Sequence, residues 1–187
     1  MSRPLSDNSA ASFPEAVGRA AHGSTTPSRA GNAMPRARAG ILNAAAQLVA
    51  EHGLHAATMA GVARRAGVAK ATVYNHVRDR DELVAALLVD QWSQLQKVCA
   101  ERPREQRLST AATWVSDSPV LAGLRRYNPD ALVTLGGLAV TDPQVTATIN
   151  TWIPEGRDPD AALRWLISFA IAPHQLTREP QILVQSD

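Results

Sequence analysis

The stretch TMAGVARRAGVAKATVYNHV, residues 58–77, decides the fold. Thr58 stands where an N-cap belongs, its hydroxyl able to accept a free backbone N–H. Met59, Val62, Ala63 and Ala66 then follow at helical spacing, and Gly67 suits the end of that helix. A second short helix is expected over residues 69–77, with Val73 and Val77 facing inward. Two short helices around a tight Gly-containing turn form a helix-turn-helix.

Working outward, Ile41, Ala45, Leu48 and Val49 give a helix before this unit, ended by Gly53, with Leu54 placed to fold back on it. On the other side, Asp79 and Glu82 form an Asp-based capping box. The long helix that starts there carries Leu83, Leu87, Leu88, Leu95 and Val98, and is expected to stop near Pro103. The outward positions of the second short helix are Lys70, Ala71, Thr72, Tyr74, Asn75 and His76. Small residues permit close approach there, and hydroxyl, amide and cationic groups suit phosphate and base edges.

Charge distribution agrees. The chain has 187 residues and a net charge of +2, but residues 36–80 sum to +5 and residues 81–187 to −4. A basic block beside an acidic remainder suggests a polyanion-binding module joined to something else. Arg64 and Arg65 lie on the first short helix and read as solvated charges rather than base readers.

Residues 41–88, ILNAAAQLVAEHGLHAATMAGVARRAGVAKATVYNHVRDRDELVAALL, closely resemble the DNA-binding domain of TetR-family transcriptional regulators. Gly53, Thr58, the Ala-Gly-Val at 66–68, the Thr-Val-Tyr-Asn-His-Val at 72–77 and the Asp-Glu-Leu at 81–83 carry the resemblance. The family commonly has Phe where this chain has Val49 and Val77, and an aromatic residue in place of Asn75. The resemblance implies an all-α chain: a three-helix helix-turn-helix domain, then a short helical domain that binds an effector and dimerises. It implies a homodimer on a palindromic double-stranded operator, released by a small molecule. In that reading Thr58 and Arg80 contact phosphate, Lys70 enters the groove or neutralises phosphate, and Tyr74 and His76 bond the DNA backbone. Ala71, Thr72 and Asn75 are the expected base readers, and Arg36 and Arg38 an arm ahead of the first helix.

The expected divisions are a disordered extension at 1–35, a DNA-binding head at 36–82 and a ligand-binding and dimerisation body at 83–187. In the body, helices are expected over 119–127, 130–140, 143–153 and 159–172, two of them opening on Ser118-Pro119 and Asp142-Pro143. Gly136-Gly137 is expected to kink or break the second, or to permit close backbone approach. The last is apolar nearly all round, so Trp165, Leu166 and Phe169 are expected at a subunit interface. A partner helix for it would have to come from residues 175–185, across Pro180. Trp92, Trp114 and Trp152 are candidate linings of an apolar effector pocket.

Other classes find less support. A single cysteine, Cys99, excludes a disulfide framework within the chain and a Cys-rich zinc module, and fits a cytoplasmic setting. Cys99 itself reads as a small buried residue. No Gly-rich phosphate loop, nucleophile elbow or carboxylate pair points to an enzyme. His52 and His55 lack a third metal ligand nearby, and no cofactor is implied. No stretch has the roughly 18 apolar residues of a membrane span, and residues 1–35 do not read as a secretory signal. The competing function is a helical protein-interaction module with a basic face and no specific DNA site. The Thr-x-Tyr-x-His run on a Gly-delimited helix, which a generic basic face does not need, favours DNA.

Overall fold

The computed structural model describes residues 33–173. Among them lie nine α-helices and no strand: α1 (Ala33–His52), α2 (Met59–Ala66), α3 (Lys70–Tyr74), α4 (Arg80–Ala100), α5 (Arg104–Asp117), α6 (Pro119–Tyr127), α7 (Pro129–Thr141), α8 (Pro143–Asn150) and α9 (Pro159–Ile171). A short 3-10 turn, Leu54–Ala56, joins α1 to α2. None of the described helices is long and apolar enough to cross a membrane. The expected extension lies outside the described residues up to position 32, while residues 33–35 already belong to α1. The helix considered over 175–185 also lies outside them.

Local chemistry sets the helix ends. Thr58 Oγ1 accepts the Gly61 N–H at 3.0 Å, and Asp79 Oδ1 accepts that of Glu82 at 2.8 Å. The box at Asp79 is not reciprocal, because Glu82 Oε2 takes the Arg78 N–H at 2.8 Å. Gly53 and Gly67 adopt φ of 82° and 67°, a left-handed backbone that side chains disfavour, and they stop α1 and α2. In the body, α6, α7, α8 and α9 all begin on proline, whose missing N–H costs nothing in a first turn.

The sequence reading missed α5 and is corrected there. Its buried residues Leu108, Ala111, Ala112 and Val115 do keep helical spacing, but three of the four are small or β-branched. Its flanking prolines, Pro103 and Pro119, mark only its bounds. Gly136-Gly137 does not break α7, which runs unbroken past both. Gly136 instead lets Ile167 of α9 approach, since a β-carbon there would stand 3.0 Å from Ile167 Cγ2.

Two apolar clusters form. The first joins Ile41, Leu42, Leu48, Val49, Val62, Val73, Val77, Leu83 and Leu87 with Val120, Leu124 and Leu132 of the body. The second holds Leu95, Cys99, Leu108, Ile149, Trp152, Ile153, Leu163, Leu166 and Phe169. Leu121 and Ala170 touch both clusters. Helix α6 is the joint. A β-carbon at Gly123 would collide with the Val49 carbonyl oxygen and stand 2.7 Å from the Ala50 Cα, so the α6 backbone lies directly on α1. Arg125 then ties α6 to the rest of the body, donating to the Ala170 carbonyl at 2.9 Å and the Ser116 carbonyl at 3.4 Å.

The expectation for α9 needs correcting. Leu166 and Phe169 are only 5% and 2% exposed within a single chain, so they are core residues and present no surface to a second subunit. The apolar circumference of that helix is covered within one chain instead, because α5, α7 and α8 all pack on α9. Trp165 is half-buried, with Phe169 edge-on to it at 4.7 Å between ring centroids.

Candidate nucleic-acid interface

The head is built so that α3 stands on α1 and α2 through one row of side chains. Val73 and Val77 are fully buried, each contributing roughly 1.5–3 kcal/mol of burial. Anchoring on that row turns Lys70, Ala71, Tyr74 and Asn75 outward, all exposed, with Thr72 and His76 half-buried beside them. Tyr74 remains 47% exposed, and the Lys70 ammonium stands 5.6 Å from its ring centroid. The phenol hydroxyl and the ammonium are both open to solvent there, a donor pair of the kind that suits phosphate oxygens.

Thr58 is exposed at the start of α2, its hydroxyl already used as a cap, and a hydroxyl retains capacity for a further bond. His76 is partly sheltered, and burial followed by the charge of Arg38 pushes its pKa below the usual imidazole value. The imidazole is therefore neutral at neutral pH, offering one donor and one acceptor.

The arginines behave differently from the sequence expectation. Arg36 and Arg38 do not precede the first helix, because α1 begins at Ala33 and both sit in its opening turns. Arg36 is exposed, whereas Arg38 is half-buried and donates from Nη1 to the His76 carbonyl at 3.2 Å. Arg80 donates from Nη2 to the Leu54 carbonyl at 2.7 Å. Arg65 is spent on Glu51, with Nη1 to Oε1 at 2.8 Å and a second bond from Nη2 to Oε2, and on Gln47 at 3.3 Å. The Arg65 hydrogen bond holds the Glu51 carboxyl below the usual carboxylate range. That pair clips α2 to α1, and Arg64 is exposed beside it.

The three candidate pocket tryptophans are not brought together. Trp114 lines a cleft of ≈ 510 Å³ between α4 and α5, with Gln91, Gln94, Val98, Arg102 and Asp117 among its neighbours. Trp152 is buried in the second cluster, 5.6 Å from Trp92 between ring centroids, and edges a different hollow beside Gln96 and Thr148. Among the described residues no three His, Cys, Asp or Glu side chains gather as a metal set. His52 and His55 are both exposed, and His52 lies 3.6 Å from Glu51. Cys99 is fully buried, and burial pushes its thiol up to about 11, far from a reactive thiolate.

A basic helix-turn-helix whose second helix is exposed and polar has the form of a DNA-binding module. Residues 41–87, the helix-turn-helix and the helices on either side of it, match the family described as bacterial regulatory proteins, tetR family. No curated protein and no solved structure matches the chain.

Proposed function

We propose that this chain is a transcriptional repressor that grips a palindromic operator as a homodimer and lets go when a small effector binds the body. The observation that carries the reading is the exposed row on α3, Lys70, Ala71, Tyr74 and Asn75, standing clear of the head core on the buried Val73. In this reading Ala71, Thr72 and Asn75 meet base edges while Thr58, Lys70, Tyr74 and His76 meet the DNA backbone. A recognition helix of five residues contributes few base contacts, each good bidentate pair giving about 1–3 kcal/mol, so two copies per operator supply the specificity.

Residues 36–82 form the reading head and 83–187 the effector and dimerisation part of this scheme. The cleft beside Trp114 and Val98 suits an effector with an apolar body, and Gln91 and Gln94 supply a polar rim. Such a regulator works in the cytoplasm and is not an enzyme.

The test is a mobility-shift titration against the DNA upstream of the protein's own gene, repeated at rising salt. Specific binding that weakens steeply with salt is the expected result. Salt-insensitive or sequence-indifferent behaviour there, together with capture of a protein partner by the basic face, would favour the interaction-module reading instead.

A further inference from the structure

Five arginines of the described region share one habit: each donates to backbone carbonyls. In the body, Arg104 reaches the Ile153 carbonyl at 2.6 Å, Arg107 the Thr151 carbonyl at 3.1 Å and Arg125 the Ala170 carbonyl at 2.9 Å. In the head, Arg38 and Arg80 do the same on either side of the recognition helix.

What they hold needs holding. Helix α3 has five residues, too few to be stable by itself. One buried side chain, Val73, anchors its body, and Val77 anchors the chain just beyond it. The last carbonyls of any helix lack intrahelical partners, and the His76 carbonyl lies at the exit of this one. Arg38 reaches it from α1, 38 positions earlier in the chain. Arg80 opens α4, directly after that exit, and ties it to the Leu54 carbonyl in the turn that leads into α2. The same Leu54 gives its N–H to Asn128 Oδ1 at 2.8 Å, so the point that Arg80 grips is itself fixed to the body. A β-carbon at Gly53 would stand 2.5 Å from Tyr127 Cβ, which leaves the turn no room to shift that way.

We infer that Arg38 and Arg80 are positioning residues of the recognition helix, bracketing it through the His76 and Leu54 carbonyls rather than contacting phosphate. The inference rests on the DNA-binding reading above. Each guanidinium gives one terminal N–H to its carbonyl, at a reach and in a direction set by the planar group that a shorter ammonium does not reproduce. Loss of either bracket widens the range of orientations α3 samples before it enters the groove, and the affinity falls without any phosphate contact being lost.

The experiment uses the full-length chain and a duplex carrying the site selected by the wild-type protein. Affinity is measured across a salt series for wild type, Arg38→Gln, Arg80→Gln, Arg38→Lys, Arg80→Lys and Lys70→Gln, beside melting temperature and amide hydrogen exchange of the free proteins. Each Gln variant at an arginine is expected to bind about tenfold more weakly. Its melting temperature and salt slope should stay those of wild type, with faster exchange at residues 75–77 for Arg38→Gln and at Ala57 for Arg80→Gln. Lys70→Gln, by contrast, should flatten the slope by about 0.9, the share of one phosphate. Arg38→Lys and Arg80→Lys keep the charge and should still lose affinity. A slope flattened by about 0.9 in either arginine variant, or wild-type affinity in Arg38→Lys or Arg80→Lys, overturns the inference. Should a Gln variant fail to fold, the Lys variant at the same position, Arg38→Lys or Arg80→Lys, decides for that bracket by the same readings. Wild-type protein that selects no site defeats the DNA-binding reading instead, a separate result.

Discussion

The head and the body solve the same packing problem with different materials. The head core is made of Ile, Leu, Val, Ala and Met without one buried aromatic ring. The body core is organised around rings, with Trp152 and Phe169 buried and Trp92, Trp114 and Trp165 packed against them. Small side chains let α1, α2 and α3 approach closely and hold a short recognition helix in one pose. Rings fill the space between the body helices. The head thus packs its short helices on small aliphatic side chains, whereas the body packs on rings and keeps a cleft beside Trp114.

The largest expected effect breaks the contrast at the body core. Leu166→Glu places a charge among Leu163, Phe169 and Ile153, and is expected to cost more than about 4 kcal/mol. Loss of cooperative unfolding by circular dichroism should follow. A normally folded monomer would instead return Leu166 to the subunit interface. Next comes the joint: Gly123→Ala drives a methyl into the α1 backbone and is expected to cost about 3 kcal/mol in urea unfolding. A change below about 0.5 kcal/mol would mean that head and body are not locked at α6.

Smaller effects sharpen the account of the head. Thr58→Ala removes the α2 cap, expected at about 1 kcal/mol of stability, and weakens DNA binding if the hydroxyl also meets phosphate. Tyr74→Ala removes an exposed ring, so stability should move by less than about 0.5 kcal/mol while operator affinity drops severalfold. Lost stability with retained affinity would make Tyr74 a packing residue.

The least effect is one of pH. His76 has a folded pKa below its unfolded value, so between the two the unfolded chain binds more protons. Its contribution is thus present above the ordinary imidazole value and lost as pH falls through and below it. His76→Gln should flatten that part of the stability profile between about pH 7 and 5. An unchanged profile would mean His76 is free in solvent.

Most of the head was legible in the amino-acid chain because its boundaries are written in single residues. Thr58, Gly67 and Asp79 each end or begin a helix through their own backbone neighbours, and Val62, Val73 and Val77 keep helical spacing. The candidate site was half legible. Chain position places Lys70, Tyr74 and Asn75 on the outer face, but nothing in it shows Arg38 reaching the His76 carbonyl or Arg80 the Leu54 carbonyl, since both bonds span tens of residues. Helix α5 escaped notice because its apolar row is made of small residues whose period is weak. The neighbours of α9 and the separation of Trp114 from Trp92 and Trp152 were equally hidden.

What the sequence by itself determined is the helix-turn-helix, its polarity and its outward face, all consequences of capping and periodicity acting within a few residues. Only the tertiary structure decided which charges are free and which are spent, and that Leu166 and Phe169 lie inside one chain. It also decided that α6 welds head to body at Gly123. Burial and long-range hydrogen bonds depend on which surfaces meet, and no local pattern carries that information.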